Sequence, residues 1–222
     1  MLVLFDLDGT LTDSREGVIL CIQHALAASD QPVPAFDDLT ECVGPPLAAS
    51  FSKLLGTADL DRIDRAIAAY RRRFEDVGMF ENRVFPGILD VLEEFAASTK
   101  LCVVTIKPAP YATRIIDHFG IARFISAVYG PDLNARHYTK KELIREACRD
   151  APKRPAVMVG DRAEDVLAAH AVGTRSIAVL WGYGSRGELL SARPDCLVGS
   201  ASELSARLRA IASVTTDWTP KD

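Results

Sequence analysis

Apolar residues recur along the chain in two patterns: short unbroken runs, and stripes spaced by three or four. The first run, Val3-Leu4-Phe5, reads as a strand buried on both faces, as in a parallel sheet. From about residue 15 to residue 80 the pattern is helical only. Val18, Ile22, Ala25 and Leu26 mark one helix, which Pro32 and Pro34 break. Leu47, Phe51, Leu54 and Leu55 mark a second after Pro46, and Leu60, Ile63, Ile67, Tyr70 and Phe74 a third. From Pro86 onward helix and strand alternate. Ile88, Val91, Leu92 and Phe95 give a helix, Leu101–Thr105 a strand, Tyr111–Phe119 a helix with Gly120 as its stop, and Ile125–Tyr129 a short strand. Lys140–Cys148 is a helix, Ala156–Val159 a strand, Asp165–Val172 a helix ended by Gly173, and Ser176–Leu180 a strand. Cys196–Val198 supplies a sixth strand, and Leu204, Leu208 and Ile211 a last helix.

Strands separated by helices predict an α/β fold, a doubly wound parallel sheet, with a small all-helical domain inserted after the first strand. The boundaries follow: residues 1–14 and 81–222 for the α/β domain, 15–80 for the helical one. The chain crosses between them near Asp13-Ser14 and again between Gly78 and Pro86, two passages that would form a hinge. No internal repeat is visible. The tail after Ser213 is polar apart from Trp218 and is expected to be loose.

Composition narrows the classes. With 222 residues, 48% hydrophobic and 25% charged, the chain can bury a substantial core. A net charge of −4 carries no electrostatic footprint for nucleic acid. No apolar run approaches the roughly 20 residues that span a bilayer. The N-terminus runs straight into a strand with an acidic end, unlike a secretory leader, so a cytoplasmic location is expected. The cysteines (Cys21, Cys42, Cys102, Cys148, Cys196) are odd in number and form no C-x-x-C pair, which argues against a disulfide framework or a zinc site. They read as small core residues, with Cys42, beside Gly44-Pro45-Pro46, the one to inspect.

In an open parallel sheet, ligands bind beyond the carboxyl ends of the strands. Here those ends carry Asp6 and Asp8, then Thr105 and Lys107, then Gly160, Asp161 and Asp165. The spacing of two places Asp6 and Asp8 on one face of extended backbone, and Gly9 allows a tight turn. Two carboxylates about 4 Å apart repel by roughly 4 kcal/mol at an effective dielectric near 20. A cation or a shared proton relieves that, unless the pair is a solvated acidic turn. The segment Asp6-Leu-Asp-Gly-Thr-Leu-Thr12 resembles the first signature of the haloacid dehalogenase superfamily, in its phosphatase branch. Thr105 resembles the second signature and Gly160-Asp161-Arg-Ala-Glu-Asp165 the fourth. The third is a lysine upstream of the Ala156–Val159 strand. The stretch Tyr129-Gly-Pro-Asp-Leu-Asn-Ala-Arg136 with Thr139-Lys140 is similar to the phosphoglycolate phosphatase and 5′-nucleotidase-like branch, and matches that lysine to Lys140. Helical phase agrees: Lys140 shares a side with Leu143 and Ile144, whereas Lys141 points about 100° away.

The resemblance implies a Rossmann-like core with a helical cap, and Mg²⁺ held by Asp6, the backbone carbonyl of Asp8, and Asp161. It implies Asp6 as nucleophile, Asp8 as general acid and base, and Thr105 and Lys140 as the groups that stabilise the phosphoryl oxygens. Asp165 would orient the site from behind the ligands or complement a helix N-terminus, with Glu164 as an alternative ligand. Gly9, Thr10, Lys107 and Gly44 would contact substrate, Gly44 from the loop Glu41-Cys-Val-Gly-Pro-Pro46, which is otherwise a plain helix–helix turn. An Asn often follows the second signature in similar phosphatases; Ile106 stands there, which puts one phosphate contact in question. Arg71-Arg72-Arg73 either attracts an anionic substrate or is a solvated helix face, and Trp181-Gly-Tyr-Gly184 either borders the site or is a loop with core aromatics. His24, His118, His137 and His170 form no ligand cluster. The expected activity is Mg²⁺-dependent hydrolysis of a small phosphomonoester, a nucleoside 5′-monophosphate or 2-phosphoglycolate, by a monomer or homodimer with no nucleic-acid or membrane partner. A sugar-phosphate mutase on the same core, and a non-catalytic phosphate-binding module, are the other readings.

Overall fold

The structure, a computed structural model, describes residues 1–133, 138–152 and 154–214. His137, the end of the Tyr129–Arg136 stretch and the tail with Trp218 lie outside the described residues. By its contacts the chain divides into two compact units, Met1–Thr12 with Val84–Asp222, and Asp13–Arg83.

The first unit is built on strand β1 (Leu2–Phe5), every residue of which is buried. Two short strands, β2 (Thr12–Asp13) and β3 (Arg83–Val84), pair where the chain passes from one unit to the other. The main sheet continues through β4 (Lys100–Val104), β5 (Ala127–Tyr129), β6 (Ala156–Gly160), β7 (Arg175–Val179) and β8 (Cys196–Val198). Its order is β5-β4-β1-β6-β7-β8, and every pairing is parallel. The expected doubly wound α/β core is therefore present, with β1 in the middle. Alternation along the strands covers both faces. Leu2, Leu4, Cys102, Val104 and Met158 pack with Leu143, Ile144 and Ala147 of α6 (Lys140–Arg149) and with Ala168 and Ala169 of α7 (Ala163–Val172). Val3, Phe5, Val103 and Val159 point the other way and are buried too. Helix α4 (Ile88–Ala96) packs on β4 and on α9 (Ala201–Val214), which in turn packs on β8. Each such side chain taken fully from water contributes about 1.5–3 kcal/mol. Helix α5 (Ala109–His118) precedes β5, and α8 (Arg186–Ala192) precedes β8.

The second unit is helical. Helix α1 (Arg15–Ala27) buries Val18, Ile22, Ala25 and Leu26, as its stripe predicts, and packs on α3 (Leu60–Arg73). Helix α2 (Leu47–Leu55) also packs on α3, through Phe51, whose ring meets Tyr70 edge-on at 6.3 Å. Tyr70 stacks on Phe74 at 5.5 Å. The buried face of α3 is Ile63, Ala66, Ala69 and Tyr70. It is rotated from the expected stripe: Leu60, at the helix start, is 63% exposed and Ile67 is half-buried. Of the Arg71–Arg73 run, Arg73 is a structural residue, bound bidentately to Glu81 at 2.7 and 2.9 Å and donating to Cys21 Sγ at 3.3 Å. Cys42 is buried, and burial pushes its thiol up, so it is no reactive thiolate. Gly44 belongs to this unit, is exposed and has φ 107°. Among the described residues no helix is long and apolar enough to cross a membrane.

Candidate active site

Register brings the acids together. Phe5 lies opposite Val103 on one side and Val159 on the other. Neighbouring strands are about 4.8 Å apart, so the residues that follow these three meet at one sheet edge. They include Asp6, one residue past Phe5, and Thr105 and Asp161, two residues past Val103 and Val159. One oxygen from each of Asp6, Asp161 and Asp165 lies within 4.8 Å of the others, a group that could hold a metal ion.

Lys140 stands among them. It is the first residue of α6, 2% exposed, and its Nζ is 2.8 Å from Asp6 Oδ1 and 2.9 Å from Asp165 Oδ1. It also donates to the Val104 carbonyl at 3.2 Å. A cation at a helix N-terminus opposes the macrodipole; the two carboxylates offset that. Burial alone would push its charge off, yet Asp165 and Asp6 hold its ammonium well above the ordinary value. Lys141, the neighbour, is exposed, as is Glu164.

Each carboxylate has a distinct set of donors. Asp6 Oδ1 accepts from the Leu7 N–H at 2.8 Å besides its pairing with Lys140. Asp161 is fully buried; its Oδ1 accepts from the Thr10 hydroxyl at 3.0 Å and its Oδ2 from the Tyr183 N–H at 2.8 Å. Asp165 Oδ2 accepts from the Arg162 N–H at 3.1 Å and so closes the first turn of α7. Asp8 pairs with Lys107 Nζ at 3.0 Å. Thr105 is buried, and its Oγ1 accepts from the Lys107 N–H at 3.2 Å, which leaves the hydroxyl proton free to be donated.

Two further features belong to the frame of the site, Thr10 and the Trp181–Gly184 loop. The Thr10 hydroxyl is turned inward to Asp161 rather than out to a ligand, because the side chain is fully buried under the turn. The Trp181–Gly184 loop proves to be part of the site's frame: the Trp181 indole N–H donates to the Thr10 carbonyl at 3.1 Å. Glycine is needed at two points of this frame. Gly9 has φ 83°, and a Cβ there would fall on the Asp161 carboxylate; a Cβ at Gly182 would fall on Asp161 Cβ and the Gly9 carbonyl.

Three buried acids against one ammonium leave excess negative charge. Burial, helped by Asp165 and Asp161 and opposed by Lys140, pushes the Asp6 carboxyl up to about 7 from 3.8. Burial and Asp165 push Asp161 to about 6, against the Tyr183 and Thr10 hydrogen bonds. The donor set, carboxylate oxygens with unrelieved charge, fits a hard divalent cation. A stability prediction follows for the metal-free protein. Between the unfolded value near 3.8 and the folded values, the native state binds more protons than the unfolded one. That contribution is complete below about pH 4 and is lost as pH rises to about 7. In EDTA the unfolding midpoint should therefore fall between about pH 5 and about pH 7.5, and millimolar Mg²⁺ should flatten the slope. A midpoint that rises over that window in EDTA would contradict these electrostatics.

The chain is similar to known proteins over most of its length. The family model for haloacid dehalogenase-like hydrolases matches residues 3–179. A 5′-nucleotidase of Pseudomonas aeruginosa is 40% identical over 86% of this chain and 88% of its own length. A Mycobacterium tuberculosis protein named tyrosine-protein kinase PtkA is 38% identical over 82% of this chain and 63% of its own. The crystal structure of a predicted phosphatase from Clostridium acetobutylicum superposes with a TM-score of 0.87 at 37% identity, covering 94% of this chain and 98% of that one. The family match begins in β1 and runs to the end of β7, so it takes in every strand end that carries the acids: the chain belongs to the haloacid dehalogenase-like hydrolases and is a phosphomonoester hydrolase.

Proposed function

We propose that this enzyme is Mg²⁺-dependent, works through a phosphorylated Asp6, and acts on a nucleoside 5′-monophosphate or 2-phosphoglycolate. The observation that carries this reading is the asymmetry of the Asp6 carboxylate. Its Oδ1 takes both Leu7 N–H and Lys140, while among the described residues its Oδ2 has no donor, which leaves it to attack. Asp6, Asp161 and the Asp8 carbonyl would hold Mg²⁺, which supplies positive charge against the repulsion between these acids and an anionic substrate. Asp6 Oδ2 bonds to phosphorus as the bond to the ester oxygen breaks, and Asp8 delivers its proton to that leaving oxygen. Asp8, now a carboxylate, takes a proton from water; the water oxygen attacks phosphorus, and inorganic phosphate leaves with Asp6 restored. The contact of Asp8 Oδ1 with Lys107 Nζ at 3.0 Å supports this role, since it fixes the position of the side chain that exchanges the proton. The Thr105 hydroxyl would donate to the phosphoryl oxygens, and the Lys140 ammonium, already facing Asp6, Asp165 and the Val104 carbonyl, would add positive charge beside them. Asp165 positions Lys140, and the Tyr183 N–H and Thr10 hydroxyl position Asp161.

The domains proposed from the sequence, a core of residues 1–14 and 81–222 and a cap of 15–80, give the cap the choice of leaving group, with Gly44 in its substrate loop. The name of the P. aeruginosa relative supports the nucleotide among the two substrates. The test is phosphate release from nucleoside 5′-monophosphates, 2-phosphoglycolate and hexose phosphates, in Mg²⁺ and in EDTA. Release from one of the first two classes, lost in EDTA, is the expected result. Isomer formation without release would make the enzyme a mutase. Transfer to a tyrosyl peptide would move it toward the chemistry named for the mycobacterial relative. Turnover unchanged in EDTA would remove the metal from the mechanism.

A further inference from the structure

Within the helical unit α3 carries a second concentration of charge, of the opposite sign. Arg62, Arg65 and Arg72 line a cleft of about 390 Å³ whose other walls include Ala28, Ser29 and Leu55. The volume is that of a small-molecule site. At 3.6 residues per turn the three arginines fall on one face of the helix, within about 80° of each other. Among the described residues none of the three guanidiniums has an ion-pair or hydrogen-bond partner. Arg73 of the same helix is spent on Glu81, so α3 pairs the arginine it uses for structure and leaves these three unpaired.

Local pairing does not account for the cluster, whose three arginines are all exposed. Asp61, directly before Arg62 and four residues before Arg65, forms no ion pair with either among the described residues, and Asp59 is engaged in capping α3, accepting from the Asp61 and Arg62 N–H groups. Two helix C-termini end at this cleft and would attract arginine, but both are closed by their own backbone. The Gln31 N–H donates to the Leu26 carbonyl after α1, and the Thr57 N–H to the Ser52 carbonyl after α2. The chain as a whole carries −4, so a face with three arginines runs against the charge of its protein. Guanidinium is the group suited to planar, bidentate binding of phosphate oxygens. Ala28 and Leu55 add apolar wall for an organic portion.

The geometry points to a binding site on the helical unit for a small, multiply charged organic phosphate, separate from the acidic site of the other unit. Binding is measured by calorimetry on the full chain in EDTA, with ATP, inorganic pyrophosphate and citrate as probes. EDTA removes metal-assisted binding among the acids, so the outcome does not depend on the phosphatase reading. One ATP should bind, more tightly than pyrophosphate if the apolar wall contributes, and both more tightly than citrate. Arg65→Gln and Arg62→Gln should each weaken ATP binding by about tenfold or more, as loss of one charge-assisted contact requires. Both variants should keep the parent's circular dichroism and its release of phosphate from an aryl phosphate. Asp6→Asn should leave ATP binding unchanged. The proposal is overturned if neither ATP nor pyrophosphate binds, if citrate binds as tightly as ATP, or if Asp6→Asn weakens binding while Arg65→Gln does not.

Discussion

Asp6→Asn should reduce turnover by roughly 10⁴-fold or more, since it removes the attacking oxygen and with it one carboxylate charge facing Lys140 and the cation. Asparagine has the same shape, and its carbonyl oxygen can still accept the Leu7 N–H that Asp6 Oδ1 accepts at 2.8 Å. The variant also removes one of three crowded buried acids. Its unfolding midpoint in EDTA near neutral pH should therefore match or exceed the parent's, and its fall with rising pH should be shallower, because the carboxyl pushed to about 7 is gone. Two readouts are needed: steady-state phosphate release, and the mass of the peptide containing residue 6 after a rapid acid quench. The parent should carry a phosphoryl group on that peptide and the variant none. A variant within about tenfold of the parent's turnover would make Asp6 a metal ligand without a covalent role.

The sheet was legible because parallel strands buried on both faces carry apolar runs: all of β1, Leu101–Val104 of β4, Ala156–Val159 of β6 and Ile177–Val179 of β7. β5 begins later than its apolar run, at Ala127, because a tight turn at Ala122–Phe124 takes up the residues before it. α8 has too short a stripe to be seen by periodicity. Its signal was Ser185 followed three residues on by Glu188, the spacing of an N-cap, and the Ser185 side chain does accept from the Glu188 N–H at 3.1 Å. In the site, phase on α6 distinguishes the buried Lys140 from the exposed Lys141. The Tyr183 N–H leaves no trace in the sequence, because any residue but proline carries that donor. The two glycines beside it, Gly182 and Gly184, were the available hint that the loop runs close against another part of the chain; both press on Asp161. Thr10 shows the limit of motif reasoning. The motif marks the position as functional, but only burial tells whether its hydroxyl faces a ligand or holds Asp161 in place.

Lys140→Ala should be the most destabilising single change at this site. It leaves Asp6, Asp161 and Asp165 buried with no cation in contact, and an uncompensated buried charge of this kind costs about 3–5 kcal/mol. For a chain of this size that is a fall of roughly 6–20 °C in unfolding midpoint. The cost should depend on conditions in a way that a merely structural lysine would not produce. Lowering the pH toward 5 protonates Asp6 and Asp161, whose carboxyls titrate near 7 and 6, and so removes much of the repulsion. Millimolar Mg²⁺ supplies charge to the same acids and should recover part of the loss at neutral pH. Lys141→Ala, one residue on and exposed, should change stability by no more than about 0.5 kcal/mol at any pH. Phosphatase activity gives the second comparison. With the midpoint restored by Mg²⁺, Lys140→Ala should still lose about 10²-fold or more in kcat/KM, because the ammonium that would add positive charge beside the phosphoryl oxygens is missing. If the stability deficit of Lys140→Ala were the same at pH 5 as at neutral pH and indifferent to Mg²⁺, Lys140 would be a packing residue. The charge balance that ties Asp6, Asp161 and Asp165 to a bound cation would then have no support.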